Sequence, residues 1–262
     1  MLNLEKALPL SDGAPVFTNE GIAYQFIKTR DGSPSLRMWS ADNHDRIGAQ
    51  EMRSAEAMHH CDGALSESLY IYGSLIEEVF FSSLKILSVG LGCGYNEWIA
   101  LAIMKSSNAE IKIESFESNP FLRKNFIEWL LRDNDSMLAK LFEETLNCVA
   151  RHFEICASDL KTQGRELLNK DLWRINERLD STVHFRQKFN VIFFDAFSAK
   201  CTPDLWKDDF LDWFLATAAD QPCAFSTYAA TGCLNRALKR NDFALVPYSG
   251  FSGKRQSTRA FR

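Results

Sequence analysis

An α/β protein with a mostly parallel, doubly wound sheet is the fold this sequence predicts, and three observations predict it. From Leu84 onward, strand-like and helix-like segments alternate. A glycine-rich bend, Leu87-Ser-Val-Gly-Leu-Gly-Cys-Gly-Tyr-Asn96, follows one strand and opens a helix. A second apolar run, Val191-Ile-Phe-Phe194, reads as a strand buried on both faces and ends on a carboxylate, Asp195. In an open α/β sheet the carboxyl ends of the strands border the ligand crevice, so Asp195 is aimed at a substrate.

The elements follow in order. Up to about Gly73 short strand-like pieces dominate: Ala23–Thr29 and Ser35–Ser40 flank the turn-rich Arg30-Asp-Gly-Ser-Pro34, which suits a hairpin. Met58–Tyr72 is partly helical by pattern. Residues 1–78 therefore read as a β-hairpin and helical lead-in, and residues 79–262 as the main domain. Within it, strands are expected at Lys85–Gly90, Lys112–Glu117, His152–Ala157, Val191–Asp195 and Ala224–Tyr228. Helices are expected at Asn96–Met104, Pro120–Leu131 (Pro at its first turn), Ser136–Leu146, Thr162–Leu179, Asp208–Ala219 and Leu234–Arg240. Phe243–Tyr248 and Gln256–Phe261, joined by Gly250-Phe-Ser-Gly253, form a closing antiparallel pair and bring the main sheet to seven strands.

Composition narrows the class. With 46% hydrophobic and 24% charged residues over 262 positions, this is ordinary globular material. It has no run as long as a membrane span and no amino-terminal signal core, so no membrane partner and a cytoplasmic location are expected. Seven scattered cysteines without a CxxC pair are expected to be reduced and mostly buried. His59-His60 are adjacent and cannot share one metal from a regular helix, so no metal is expected. The net charge is −4, yet Arg236, Lys239, Arg240, Lys254, Arg255, Arg259 and Arg262 face only Asp242 in the last stretch. Such a tail is either a solvated surface or a local phosphate-binding face.

The first ligand site is the bend itself. Gly90, Gly92 and Gly94 permit a tight turn and a close backbone approach to a ligand, although a bend of this kind alone admits many nucleotide binders or simple strand–helix packing. Glu117 closes the next strand about twenty residues downstream, where an acid can accept from ribose hydroxyls. Asp159 is placed at the end of the following expected strand, in reach of an adenine amino group. Each acid taken singly could equally be a helix cap or a solvated charge. Carboxylates at successive strand ends suit a nucleoside with little phosphate better than a dinucleotide.

These motifs together resemble a known family. The glycine bend, Phe116-Glu-Ser-Asn-Pro120, Asp195-Ala-Phe-Ser198 with Pro203-Asp-Leu-Trp206, Thr227–Gly232 and Gly250-Phe-Ser-Gly-Lys-Arg255 look like the methyltransferase module of the bacterial tRNA-modifying enzyme MnmC and its stand-alone MnmD relatives. Asp31-Gly-Ser-Pro-Ser-Leu36 and His60–Ser68 look like that family's lead-in. The resemblance implies a Rossmann-like, class I S-adenosylmethionine-dependent methyltransferase fold, a group in which a closing antiparallel pair is common. It implies methyl transfer from S-adenosylmethionine to the aminomethyl nitrogen of 5-aminomethyl-2-thiouridine at the tRNA wobble position. Carried over by motif, Gly90, Gly92, Gly94 and Asn96 form the cofactor loop, Glu117 takes the ribose and Asp159 the adenine end. Glu67 closes over the cofactor, and Asp195 is the catalytic residue facing the amine. Leu91, Cys93 and Tyr95 depart from the family's usual loop, and Ala199 and Lys200 depart from its usual Pro-x-Lys spacing. A separate flavin-dependent or other enzyme is expected to supply the aminomethyl base.

An amine with a pKa of about 10 is mostly protonated at pH 7, and an ordinary aspartate near 4 is about six units too weak to take that proton. Asp195 is therefore expected to accept N–H hydrogen bonds and aim the nitrogen rather than act as a base. The base must leave its stack to enter the pocket. Phe197, Trp206, Tyr228 and Phe251 are candidate stacking surfaces, and Lys254 and Arg255 candidate phosphate contacts. Other amine-directed transferases on this fold, such as a small-amine methyltransferase or an aminopropyltransferase, are alternatives; so is a non-catalytic RNA-binding module, and more distantly a nicotinamide oxidoreductase.

Overall fold

Two sheets organise the chain in the computed structural model, which describes residues 16–40, 57–79, 82–105, 110–133 and 135–262. Parts of the expected 1–78 lead-in therefore lie outside the described residues. The smaller sheet is antiparallel, with β1 (Val16–Asn19), β2 (Ile22–Lys28) and β3 (Pro34–Ser40) in sequential order. Glu20 and Gly21 both take positive φ, the requirement of a tight two-residue hairpin turn, which joins β1 to β2. The β2–β3 turn is held by Asp31, whose carboxylate accepts from Ser33 and also from the Ser66 amide and hydroxyl. This ties the hairpin to the helical lead-in: α1 (Ala64–Ser68), a π-helical turn (Leu69–Gly73) and α2 (Ser74–Glu78).

The larger sheet contains β4 (Ser83–Val89), β5 (Glu110–Phe116), β6 (Trp173–Asn176), β7 (Phe189–Phe194), β8 (Ala219–Thr227), β9 (Ala244–Val246) and β10 (Thr258–Phe261). Its order is β6-β5-β4-β7-β8-β10-β9, parallel except for β10, which runs against both neighbours. The helices are α3 (Tyr95–Lys105), α4 (Pro120–Arg132), α5 (Met137–His152), α6 (Ala157–Asn169), α7 (Asp208–Ala218) and α8 (Gly232–Arg240). Local chemistry sets their starts. Asn119 accepts from the Phe121 and Leu122 amides with Pro120 at the first turn, Ser136 caps α5 and Thr231 caps α8.

Alternation along the central strands divides the core. Ile86, Val191 and Phe193 join one apolar cluster with Trp98, Phe126, Trp129 and Trp173; Leu87, Ile192 and Phe194 join the other with Trp206, Phe214 and Phe225. Successive strand side chains point to opposite faces, so these are the two helix-covered faces of a doubly wound sheet. The expected α/β class and the closing antiparallel pair are what the chain adopts.

The strand expected at His152–Ala157 is a correction. Those residues are the end of α5, a turn and the start of α6; Glu154 sits at φ 55°, which a ladder strand cannot use. The helix expected over Thr162–Leu179 likewise stops at Asn169, and Asp171 at φ 59° turns the chain into β6, the edge strand that fills the vacated place. Three cysteines (Cys61, Cys156, Cys201) are exposed and only Cys93 and Cys223 buried, so the mostly buried expectation also fails; all seven are free thiols.

Candidate active site

The chain runs outward from β4 through β5 to β6, then jumps to β7 on the other side of β4. At that switch the loops after β4 and β7 diverge and leave a crevice. A cavity of about 340 Å³ lies there, a volume suited to a small ligand. Gly90, Gly92, Asn96, Glu117, Asp195, Phe197, Glu67 and Lys254 all line it.

The three glycines do different work. A Cβ on Gly90 would lie 2.4 Å from the Asp195 carbonyl oxygen, so this glycine lets the two loops touch. A Cβ on Gly94 would lie 2.8 Å from the Phe126 ring and 3.1 Å from Trp98 Nε1, so it serves helix packing and is not part of the cavity wall. Gly92, at φ 52°, faces only Met58 Sδ, at 3.4 Å from such a Cβ; it is the close-approach position.

Glu117 is buried. Its Oε2 accepts from the Gly92 amide at 2.9 Å and its Oε1 from the Asn119 amide at 2.8 Å. Each carboxylate oxygen keeps a second lone pair, enough for two vicinal hydroxyls. Burial pushes its pKa up, partly offset by those two amides. Asp195 is clamped from two sides: Tyr72 donates its hydroxyl to Oδ1 at 2.7 Å, and Asn96 Nδ2 donates to Oδ2 at 2.8 Å. Burial pushes the Asp195 carboxyl up to about 7, against the downward pull of these two donors. The mismatch with an amine near 10 thus narrows from about six units to about three. A carboxyl near 7 is also poised at the operating pH.

At the mouth, Glu67 Oε1 pairs with Lys254 Nζ at 3.3 Å and Oε2 accepts from the His60 amide at 2.7 Å. The Lys254 ammonium lies 5.3 Å over the Tyr228 ring, whose hydroxyl donates to the Ala196 carbonyl. His59 shares a hydrogen bond with Ser35 at 2.8 Å, and burial holds it down at about 4, so it is neutral. His60, Cys61 and Asp62 bring ligand atoms within 4.8 Å of one another. However, His60 Nδ1 accepts from the Asp62 amide, and Asp62 is engaged by Arg30 and Ser252.

Several expected site residues lie elsewhere. Asp159 is in the first turn of α6, not at a strand end; it is exposed, pairs with Lys105 and does not line the cavity. Trp206 is buried in the second core cluster, with its Nε1 donating to the Phe197 carbonyl, so it braces the loop that presents Phe197 instead of stacking on a ligand. Phe251 packs on Tyr70 and His60 outside the cavity. Arg255 is exposed beyond the mouth. The basic tail is thinner than its sequence: Arg236 and Arg240 pair with Asp208 and Asp212, and Arg259 is buried. Tyr72 was not foreseen, because Leu69-Tyr-Ile-Tyr72 reads as plain amphipathic helix and nothing local marks its distant partner.

The described lining suits an S-adenosyl nucleoside. There is open space beside Gly92, a buried carboxylate with free lone pairs for a ribose, and one lysine already paired to an acid. Bare phosphates would find little there.

Comparisons with known proteins agree. Residues 140–262 match the model of a family described as S-adenosyl-L-methionine-dependent methyltransferase. The tRNA 5-methylaminomethyl-2-thiouridine biosynthesis bifunctional protein MnmC of Idiomarina loihiensis is 27% identical over 183 residues, covering 66% of this chain and 29% of that protein. Its namesake from Burkholderia pseudomallei is 27% identical over 212 residues, covering 75% of this chain and 31% of that protein. The chain thus spans about three tenths of the length of these relatives. The crystal structure of MNMC2 from Aquifex aeolicus superposes with a TM-score of 0.59 at 20% identity, covering 99% of this chain and 72% of that one, a likeness of fold.

Proposed function

We propose that the chain is an S-adenosylmethionine-dependent methyltransferase, the description of the family whose model matches residues 140–262, and that its acceptor is the primary amine of 5-aminomethyl-2-thiouridine at the tRNA wobble position. The observation that carries this reading is the doubly clamped Asp195 on the cavity wall. Support for the base and the tRNA comes from the names of the MnmC relatives. On this reading residues 79–262 form the catalytic domain and residues 1–78 a lead-in that brings Glu67 to its cavity and Tyr72 to Asp195. The protein then works in the cytoplasm, downstream of an enzyme that produces the aminomethyl group. Among the described residues no helix is long and apolar enough to cross a membrane.

S-adenosylmethionine, when bound, supplies a methyl group on a positively charged sulfur. Gly90, Gly92 and Asn96 would shape its berth, and Glu117 would accept from its ribose hydroxyls. Asp195, once ionised, attracts the incoming ammonium and accepts its N–H bonds. The ammonium gives its proton to water, so Asp195 stays charged, and the N–H hydrogen bonds it accepts aim the freed lone pair along the line of transfer. The methylated nitrogen leaves carrying a positive charge that the carboxylate stabilises while it forms. Phe197 and Tyr228 border the space for the extruded base.

The acid-rich wall also favours a second reading, a small free polyamine as acceptor. Labelled S-adenosylmethionine with bulk tRNA or with spermidine separates the two. The deciding experiment is mass analysis of tRNA nucleosides from cells lacking the protein. Accumulation of the unmethylated primary amine, reversed by the wild-type gene, is the expected result; an unchanged nucleoside profile sinks the reading.

A further inference from the structure

We propose that Tyr72 is a positioning residue for methyl transfer: its phenol clamps the Asp195 carboxylate from the lead-in, and a π-helical turn braced by Arg259 holds it there. The inference rests on the reading of Asp195 as the group that faces the amine.

The turn Leu69–Gly73 interrupts what would otherwise be one helix running from α1 into α2. A π turn is rare, and single π turns inside α-helices occur frequently at functional sites. Here side chains from distant elements support it. The Ile71 carbonyl accepts from Ser226 Oγ at 2.7 Å and from Arg259 Nη2 at 3.2 Å. The Tyr70 carbonyl accepts from the hydroxyls of Ser74 and Tyr248. Arg259, on β10, is only 1% exposed; it also pairs with Glu78, donates to Ser74 Oγ at 2.7 Å and lies 3.7 Å over the Tyr248 ring. A buried arginine from the last strand is thus committed to one turn of the lead-in.

What that turn displays to the site is Tyr72. Its ring packs on Phe193 with centroids 5.3 Å apart, and its hydroxyl reaches Asp195 Oδ1. Burial and the neighbouring Asp195 hold the phenol well above its ordinary pKa, so it stays protonated and acts as a donor. With Asn96 donating to the other oxygen, the plane of the carboxylate is fixed, and each oxygen keeps a lone pair for an N–H of the acceptor. The remaining titratable or charged groups that influence this pair are Glu67 from α1, Glu97 from α3, Tyr228 after β8 and Lys254 on the closing loop. Tyr72 donates to the charged form of Asp195, so its loss makes Asp195 harder to ionise.

Tyr72→Phe removes only the hydroxyl and keeps the ring against Phe193. In a ¹³C-carboxyl NMR titration of the whole protein, Asp195 should move up by about one to two units. The acid limb of the kcat profile should move with it, and turnover at pH 7 should fall about five- to fiftyfold while S-adenosylmethionine affinity in calorimetry holds. Arg259→Lys should move the same titration upward, because the turn loosens. An unmoved Asp195 titration in Tyr72→Phe overturns the clamp, and an unmoved one in Arg259→Lys overturns the brace. Should Tyr72→Phe not fold, 3-fluorotyrosine at position 72, a stronger donor in the same ring, must lower the Asp195 titration or the clamp is wrong. The functional reading fails separately, if Asp195→Asn keeps near-native turnover, because the titration requires no acceptor.

Discussion

Asp195 holds a carboxylate where burial disfavours its charge, and this has consequences in opposite directions for activity and stability. Asp195→Asn keeps the size and one acceptor oxygen for Tyr72. The Asn96 amide can rotate so that its Oδ1, which has no partner in the buried site, accepts from the new amide. Cofactor affinity should therefore survive while turnover falls about 10²–10³-fold, the usual cost of losing a charged group at the reacting centre. Stability should change the other way. A carboxyl raised from about 4 to about 7 on folding binds more protons in the native state, so its presence destabilises the fold progressively as pH rises from about 4 to about 7. The asparagine variant should gain up to about 4 kcal/mol above pH 7 and nothing below pH 4. Melting curves across that range check it; a variant no more stable at pH 8 than the parent would mean Asp195 is not strained.

At the scale of elements, the glycine bend separates function from packing within five residues. Gly92→Ala puts a methyl group into open space beside Met58 at a positive φ, so strain of about 1 kcal/mol is expected together with a large loss of cofactor affinity. Gly94→Ala drives a methyl group to 2.8 Å from Phe126, in the cluster that also holds Trp98 and Trp129. It should cost about 1–3 kcal/mol of stability through overpacking, plus backbone strain. Thermal melts and calorimetry on the two variants should rank them in opposite orders. That partition was invisible in the spacing Gly90, Gly92, Gly94, which looks uniform. The bend, Glu117 and Asp195 were legible because each sits at a strand end announced by an apolar run. Asp159 was misplaced because His152-Phe-Glu-Ile-Cys-Ala157 alternates like a strand, whereas the turn at Glu154 is made by a non-glycine residue at positive φ. The true edge strand, Trp173–Asn176, is four residues long and follows Asp171, another non-glycine turn with no sequence flag. Tyr72 meets Asp195 across 123 residues of sequence, a separation that local patterns cannot read.

At the scale of the whole molecule, the proposed tRNA substrate requires a chain of net charge −4 to present a locally positive surface. Arg236 and Arg240 are engaged by Asp208 and Asp212 of α7, and Arg259 is consumed inside. What the closing loop presents near the cavity mouth is Lys254 and Arg255. They should behave differently. Arg255 is exposed and does not line the cavity, so Arg255→Ala should weaken tRNA binding at low salt and reduce the slope of log affinity against log salt by about 0.7–0.9, with cofactor affinity unchanged. Lys254 also neutralises Glu67, which is buried and lines the cavity. Lys254→Ala should produce the same loss of slope and, by leaving that carboxylate without its cation, should also alter S-adenosylmethionine affinity. Salt-titrated tRNA binding combined with calorimetry on both variants decides the matter. If neither changes the slope, the tRNA backbone is gripped by some other face, and if Arg255→Ala disturbs the cofactor, the division of labour between these two neighbours is wrong.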